Sequence, residues 1–389
     1  MPANLYVHFP FCRRKCSYCA LYSRVGVSQS DRDAYVRRLA AEIESLRVNV
    51  ASDSVVAQPL FETVYFGGGS PALCDLRPLL QALRPLLKNG DDNRQTTSDK
   101  RGLETEFMVE LHPLDVAEDL LKALRDGGVN RISMGVQSLN DATLADMGRG
   151  YTLVEAERAF ALVKRHFDNA GIDLIVGYPG DEVEVKSGGG QWNLQRLSHW
   201  GLRHCSVYSL QNERGLKNVP SDDWTLDRLR QIAIGLKEMG LKRYEISNYA
   251  VPGCECRHNL AVWRGEDYVG LGEGAYGRVG LTRTVGRKTG VETSSVTPEE
   301  DIKERTLFRL RTREGVALSQ LRKWGQTPGQ QGGQAPGQQG GQTPCQGGQT
   351  LEEILEKHVK EGLLTRNSEV YRLTERGTEV CDSILAELV

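Results

Sequence analysis

The sequence predicts an α/β protein, an open and partial (β/α)6 barrel followed by a smaller α+β module. Three observations lead there. Six short apolar runs rich in β-branched residues recur between positions 5 and 208. Stretches with helical periodicity separate them. Six strands also fall short of the eight that a closed barrel requires, so the barrel is expected to stay open.

The first strand is expected at residues 5–9, followed by a helix over 33–48. There Val36, Leu39, Ala40, Ile43 and Leu46 recur on one face. Strands at 63–66, 107–111, 131–134, 172–176 and 204–208 follow, with helices near 76–87, 117–126 and 154–167. The runs are brief and nearly continuous, which predicts a parallel sheet covered on both faces. Residues 89–102 and 181–191 lack any apolar period and are rich in turn formers, so they read as surface insertions. Residues 325–350 repeat a Gly/Gln/Pro unit of about eight residues, too short for a solenoid and too polar for a core. They read as a disordered loop, and Cys345 within it is given no role. Residues 351–389 return to a helix–strand–helix pattern resembling a winged helix, but without a basic face, which disfavours DNA binding. The division expected is a barrel over 1–245, a connecting region over 246–324, the loop over 325–350 and the module over 351–389.

Composition narrows the function. The 389 residues carry 49 Lys and Arg against 51 Asp and Glu, a net charge of −2 that offers no global attraction to nucleic acid or an anionic membrane. At 39% hydrophobic and 26% charged residues, the chain is able to bury a sizeable core. No apolar run is long enough to span a bilayer, and MPANLYVHFPFCRRKC lacks the apolar core of a secretion signal. The cytoplasm is therefore the expected compartment, and the nine cysteines are expected as thiols or metal ligands rather than disulfides.

Cys12, Cys16 and Cys19 follow the first strand as C-x3-C-x2-C. Three soft thiolates on one loop select an iron–sulfur cluster or zinc. A structural zinc needs a fourth ligand, and residues 20–40 hold neither Cys nor His. A [4Fe–4S] cluster on three cysteines instead leaves one iron open to a non-protein ligand. Gly67-Gly68-Gly69-Ser70-Pro71 follows the second strand, where glycines let the backbone approach a ligand closely. By itself that run reads as any strand-to-helix turn.

The cysteine spacing resembles the radical S-adenosylmethionine (SAM) superfamily, and GGGSP resembles its GGGTP, with Ser70 keeping the hydroxyl of Thr. The resemblance implies a TIM-like radical SAM barrel in which SAM chelates the open iron. One-electron reduction then yields a 5′-deoxyadenosyl radical. LYVHFPFCRRKCSYCALYS, VYFGGGSPALC, GVNRISMGVQSLND, DLIVGYPG, VYSLQNERG and RYEISNYAVPGCECRHNLAVWRGEDYVGLGEGAYG follow in order. These blocks resemble the oxygen-independent coproporphyrinogen III oxidase family and, within it, the HemW-type heme chaperone branch. Carried over, the resemblance assigns Tyr6, Gly68, Gly69, Ser70 and Glu110 to SAM. It assigns Tyr18, Gln137, Arg149 and Asp173 to the region where the oxidases hold a second SAM. Met147-Gly148-Arg149-Gly150 equally reads as a flexible loop with Arg149 solvated.

Two features resemble the chaperone branch rather than the oxidases. Leu21 stands where the oxidases usually carry a further Cys, and only eleven residues precede Cys12. His258-Asn259-Leu260-Ala261-Val262-Trp263 resembles the branch's HNxxYW heme-associated motif, with Val262 in place of Tyr. His258 is then expected as an axial heme ligand, or else as a loop histidine held by a hydrogen bond. The resemblance further implies heme as cargo, a one-electron donor such as flavodoxin or ferredoxin, membrane heme enzymes as recipients, a homodimer, and peripheral contact with the inner membrane face. The alternative it leaves is oxidative decarboxylation of coproporphyrinogen III. Cys254 and Cys256 complete a C-x-C-x-H segment whose closely spaced groups are not expected to converge on a metal, and Cys74, Cys205 and Cys381 read as small core residues.

Overall fold

The computed structural model describes residues 3–48, 61–88, 104–181, 194–324 and 350–388. The insertion expected at 89–102, all but Asp181 of that at 181–191, and all but Thr350 of the Gly/Gln/Pro segment lie outside the described residues.

Six parallel strands form the frame: β1 (Asn4–Phe9), β2 (Thr63–Gly68), β3 (Glu106–Leu111), β4 (Arg131–Gln137), β5 (Asn169–Val176) and β6 (His204–Ser209). They pair in chain order. Helices α1 (Gln29–Val48), α2 (Arg77–Leu83), α3 (Glu118–Asp126), α4 (Asp141–Asp146) and α5 (Leu153–Lys164) intervene. The short α4 has no counterpart in the sequence reading. A capping box at Thr152 and Glu155 starts α5, satisfying backbone N–H groups that a helix otherwise leaves open.

The sheet does not close on itself. Beyond β6 come β7 (Lys242–Arg243) and β8 (Asn248–Ala250), with β8 antiparallel to β6. On the opposite flank β9 (Tyr268–Leu271) pairs parallel to β1, and β10 (Tyr276–Val279), β11 (Thr282–Arg287) and β12 (Gly290–Ser295) extend it antiparallel. Among the described residues the result is one twelve-stranded open sheet.

Successive side chains alternate between its faces. Leu5, Val7, Phe9, Val64, Phe66, Phe107 and Val109 share one core with Val36, Leu39 and Ile43 of α1 and Leu79 and Leu83 of α2. The intervening positions hold Asn4, Tyr6, Thr63, Tyr65, Glu106 and Glu110. The expected face-to-face apolar cover is therefore corrected. Helices α1–α5 cover the outer face, and the inner face borders a cleft lined by polar side chains.

The C-terminal module contains the helix Pro298–Leu310, β13 (Val316–Ala317), the helix Leu318–Trp324, the helix Leu351–Lys360 and the hairpin β14 (Leu364–Asn367) and β15 (Val370–Leu373). Two short helices, Glu375–Glu379 and Cys381–Glu387, follow. Its sheet runs β13-β15-β14. Ile302, Leu310 and Val316 share a core with Leu355, Leu364, Tyr371 and Leu388, so chain on both sides of 325–349 packs together. Arg230, on the helix Asp222–Glu238, grips Glu379 in a fork of two hydrogen bonds at 2.6 and 2.7 Å, fixing the module to the barrel.

Candidate functional site

A cleft of ≈ 2420 Å³ runs along the inner face of the sheet. Cys12, Cys16, Cys19, Tyr6, Tyr18, Gly68, Glu110, Gln137, Arg149, Asp173 and His258 all line it. Gly69 and Ser70 do not.

The cysteine loop leaves the C-terminal end of β1. Its neck is closed by the Cys12 N–H donating to the Arg24 carbonyl at 2.9 Å and the Arg24 N–H donating to the Pro10 carbonyl at 2.6 Å. Inside it, the Cys19 N–H turns back to the Cys16 carbonyl at 3.2 Å. All three thiols are partly exposed, and burial raises the pKa of Cys12. Among the described residues no three metal-ligating groups are gathered around one point. The loop thus presents three soft donors to one cleft without closing them, a donor set that fits an iron–sulfur cluster in chemistry and in number.

The glycine run forms the wall beside this loop. Gly68 has φ +105°, and a Cβ there would enter the His8 ring. A Cβ on Gly69 would lie 3.0 Å from the Cys12 sulfur and press on the Phe9 and Phe11 carbonyls. The Gly69 N–H donates to the Phe9 carbonyl and the Ser70 N–H to the Phe11 carbonyl, each at 2.7 Å. The Ser70 hydroxyl donates to buried Asp115, which in turn holds Arg13 at 2.7 Å. Gly69 and Ser70 brace the loop from behind.

Deeper in the cleft, Glu110 accepts from the Gly68 N–H at 3.1 Å and from the Tyr65 hydroxyl. Burial, with Asp173 adding repulsion, pushes the Glu110 carboxyl up to about 7. Burial also raises Asp173, against the opposing hydrogen bonds from Ser206 and Ser133, the latter at 2.9 Å. Two facing acids of raised pKa favour a ligand that brings hydrogen-bond donors or positive charge. Gln137 has φ +73° where the register slips at the end of β4, a costly backbone conformation at the edge of the cleft.

Arg149 corrects the solvated-loop reading, because it is buried. Its Nη2 donates to the Gly135 carbonyl at 2.6 Å and its Nε to the Tyr151 hydroxyl at 3.0 Å. Its Nη1 reaches the Tyr18 hydroxyl at 3.3 Å and the Cys16 sulfur at 3.4 Å.

His258 lies on the short helix Arg257–Trp263. The helix start is anchored by Glu106, which accepts the His258 N–H at 3.1 Å and faces buried Arg131 at 3.4 Å. Arg131 also donates to the Cys254 carbonyl at 2.9 Å, and the Cys256 thiol points at Glu106 from 3.6 Å. The C-x-C-x-H segment is thereby pinned into the inner face of the sheet. The His258 ring packs against Tyr65, Tyr6 and Tyr268, with centroids 5.1, 6.3 and 6.4 Å away. Its Nδ1 lies 2.8 Å from the Thr63 hydroxyl, and burial pushes its pKa down to about 3, so the ring is neutral.

Sequence reasoning missed Asn4, Thr63, Tyr65, Glu106 and Tyr268. A signal existed in N-x-Y-x-H, T-x-Y and E-x-M-x-E, where polar or aromatic residues, Met108 apart, fall at every second position. The lining also carries more cations than carboxylates, among them Lys237, Lys242, Arg243, Arg287 and Lys288, although the whole chain is net negative.

A model of the radical SAM superfamily matches residues 6–185. The heme chaperone HemW of Lactococcus lactis is 34% identical over 288 residues, covering 71% of this chain and 69% of that protein. HemW of Bacillus subtilis is 29% identical over 353 residues, covering 83% and 87%. In structure the chain is similar to the Escherichia coli coproporphyrinogen III oxidase HemN, a radical SAM enzyme. The TM-score is 0.72 at 20% identity, covering 100% of this chain and 90% of that one.

Proposed function

Because the chain belongs to the HemW heme chaperone family of radical SAM proteins, we propose that it captures and hands on heme, using a cleft that also holds a [4Fe–4S] cluster and SAM. The observation that carries this reading is the single cleft onto which the three cysteines, the carboxylates and His258 all open. When bound, the cluster and SAM supply one-electron chemistry.

The chain's own residues divide the work. Cys12, Cys16 and Cys19 hold the cluster, while Gly69 and Ser70 support their loop. Tyr6, Gly68 and Glu110 border SAM, whose amino group suits the carboxylate of Glu110. Tyr18, Gln137, Arg149 and Asp173 complete the polar wall, and Arg149 donates toward the Cys16 sulfur. His258 is the axial heme ligand, since a neutral buried imidazole is ready to bind iron without first losing a proton. The cations of the lining suit the two propionates of heme.

Heme passes to membrane heme proteins, the reductant is a flavodoxin or ferredoxin, and two copies associate. Among the described residues no helix is long and apolar enough to cross a membrane.

The test is anaerobic reconstitution followed by separate additions of heme and of coproporphyrinogen III with SAM and reductant. Stoichiometric heme binding without decarboxylation is the expected result. Formation of protoporphyrinogen IX would make the protein an oxidase and overturn the chaperone reading.

A further inference from the structure

We propose that Thr63, oriented by Asn4, is a positioning residue that fixes the Nδ1–H tautomer of His258 and so presents a bare Nε2 to heme iron. The inference rests on the reading of His258 as the heme ligand.

The argument is a count of protons along one chain of hydrogen bonds. The Asn4 side-chain amide nitrogen donates to the Asp267 backbone carbonyl at 3.1 Å. A carbonyl only accepts, so the orientation of the Asn4 amide is fixed and its oxygen faces Thr63. The Thr63 hydroxyl donates to that oxygen at 2.8 Å. A hydroxyl has one proton, and this one is committed. The 2.8 Å contact between Thr63 and His258 Nδ1 is then made by an Nδ1–H that donates. A neutral imidazole carries one N–H, so Nε2 bears a lone pair.

Two of the neighbouring phenols, Tyr6 and Tyr65, place their protons elsewhere. The His8 Nε2 must donate to the Tyr22 carbonyl at 3.0 Å, which makes its Nδ1 the acceptor for the Tyr6 hydroxyl at 2.9 Å. The Tyr65 hydroxyl proton goes to Glu110. Asp267 directly precedes β9, whose parallel pairing places Asn4 opposite Tyr268, so sheet register holds the origin of the relay. Hydrogen bonds of this kind behind a metal-binding histidine set its tautomer and ring orientation.

The test uses the full chain. With 15N-labelled histidine and no heme, a 15N–1H correlation spectrum is expected to show His258 as the Nδ1–H tautomer, its signal assigned by its loss in His258→Ala. Thr63→Val removes the acceptor without changing side-chain shape. It should shift the ring toward Nε2–H and weaken heme binding about 10- to 100-fold. Thr63→Ser should restore both. Asn4→Ala frees the Thr63 proton to donate to Nδ1, and should also move the ring toward Nε2–H, giving a second readout should Thr63→Val fail to fold. An Nε2–H tautomer in the wild-type protein, or an unchanged tautomer in both Thr63→Val and Asn4→Ala, overturns the proposal. An unchanged heme Soret band in His258→Ala, with Nδ1–H intact in the wild type, overturns the ligand reading beneath it instead.

Discussion

The two ends of the cleft are built by different means. At the cysteine end the donors sit on an irregular loop, partly exposed, closed at its neck by backbone hydrogen bonds and propped by Gly69 and Ser70. At the histidine end every group is placed by strand register and a buried polar network running through Asn4, Thr63, Glu106 and Arg131. The first end has soft donors that a ligand must still draw together. The second is arranged before any ligand arrives, at the cost of burying charge. A loop tolerates the rearrangement that cluster assembly needs, whereas an axial ligand benefits from a fixed direction.

That contrast predicts unequal responses to substitution. The largest effect is expected from Cys16→Ser, which should abolish the brown absorbance of the reconstituted protein. Its far-ultraviolet circular dichroism should stay unchanged, because the bond that Arg149 makes to this thiol is one of several that hold the guanidinium; retained absorbance would remove Cys16 from the ligand set. At the other end, Glu106→Ala leaves Arg131 buried without its carboxylate and is expected to cost about 3–5 kcal/mol in urea unfolding. A loss below about 1 kcal/mol would mean that the network is not preset.

Glu110 lies between the two ends and gives a pH test. Its carboxyl titrates at about 7 in the folded chain against 4.5 ordinarily. The folded state therefore holds this proton more tightly than the unfolded state. The associated stability is complete below about pH 4.5 and lost as pH rises through about 7, amounting to at most about 3 kcal/mol. Glu110→Gln should flatten this fall between about pH 5 and pH 8, and an unaltered slope would deny the raised value. A further effect is expected from Gly69→Ala, about 1–3 kcal/mol, because the added Cβ would press on the Phe9 and Phe11 backbone carbonyls rather than on a flexible side chain. It should lower cluster retention in proportion, while heme binding stays unaffected.

Much of the frame was legible. The expected strand at residues 63–66 appears as Thr63–Gly68, and that at 172–176 falls within Asn169–Val176, because outer-face residues such as Val64, Phe66, Ile172 and Leu174 are apolar without exception. The cysteine loop was equally plain, since its ligand chemistry is local in sequence. The histidine end was not. Asn4, Thr63, Glu106 and Arg131 are distant in sequence and individually ordinary, and only register brings them to one layer. Reading the strands as continuous apolar runs hid their polar alternate positions. The burial of Arg149 was also invisible, because its partners Gly135, Tyr18 and Cys16 come from β4 and the cysteine loop.

One feature of β1 and β2 governs the geometry of anything bound between them. Asn4 and Thr63 open the two strands, and Phe9 and Gly68 close them, paired residue for residue with no bulge. Five residue steps at a strand's rise make a ruler of about 17 Å. The relay behind the histidine is at one end of it and the prop of the cysteine loop at the other. A cluster held by the cysteine loop at one end and a heme iron held by His258 at the other would sit side by side at a spacing that the strands set. Closing that spacing would take shortening both strands together, since they are paired residue for residue.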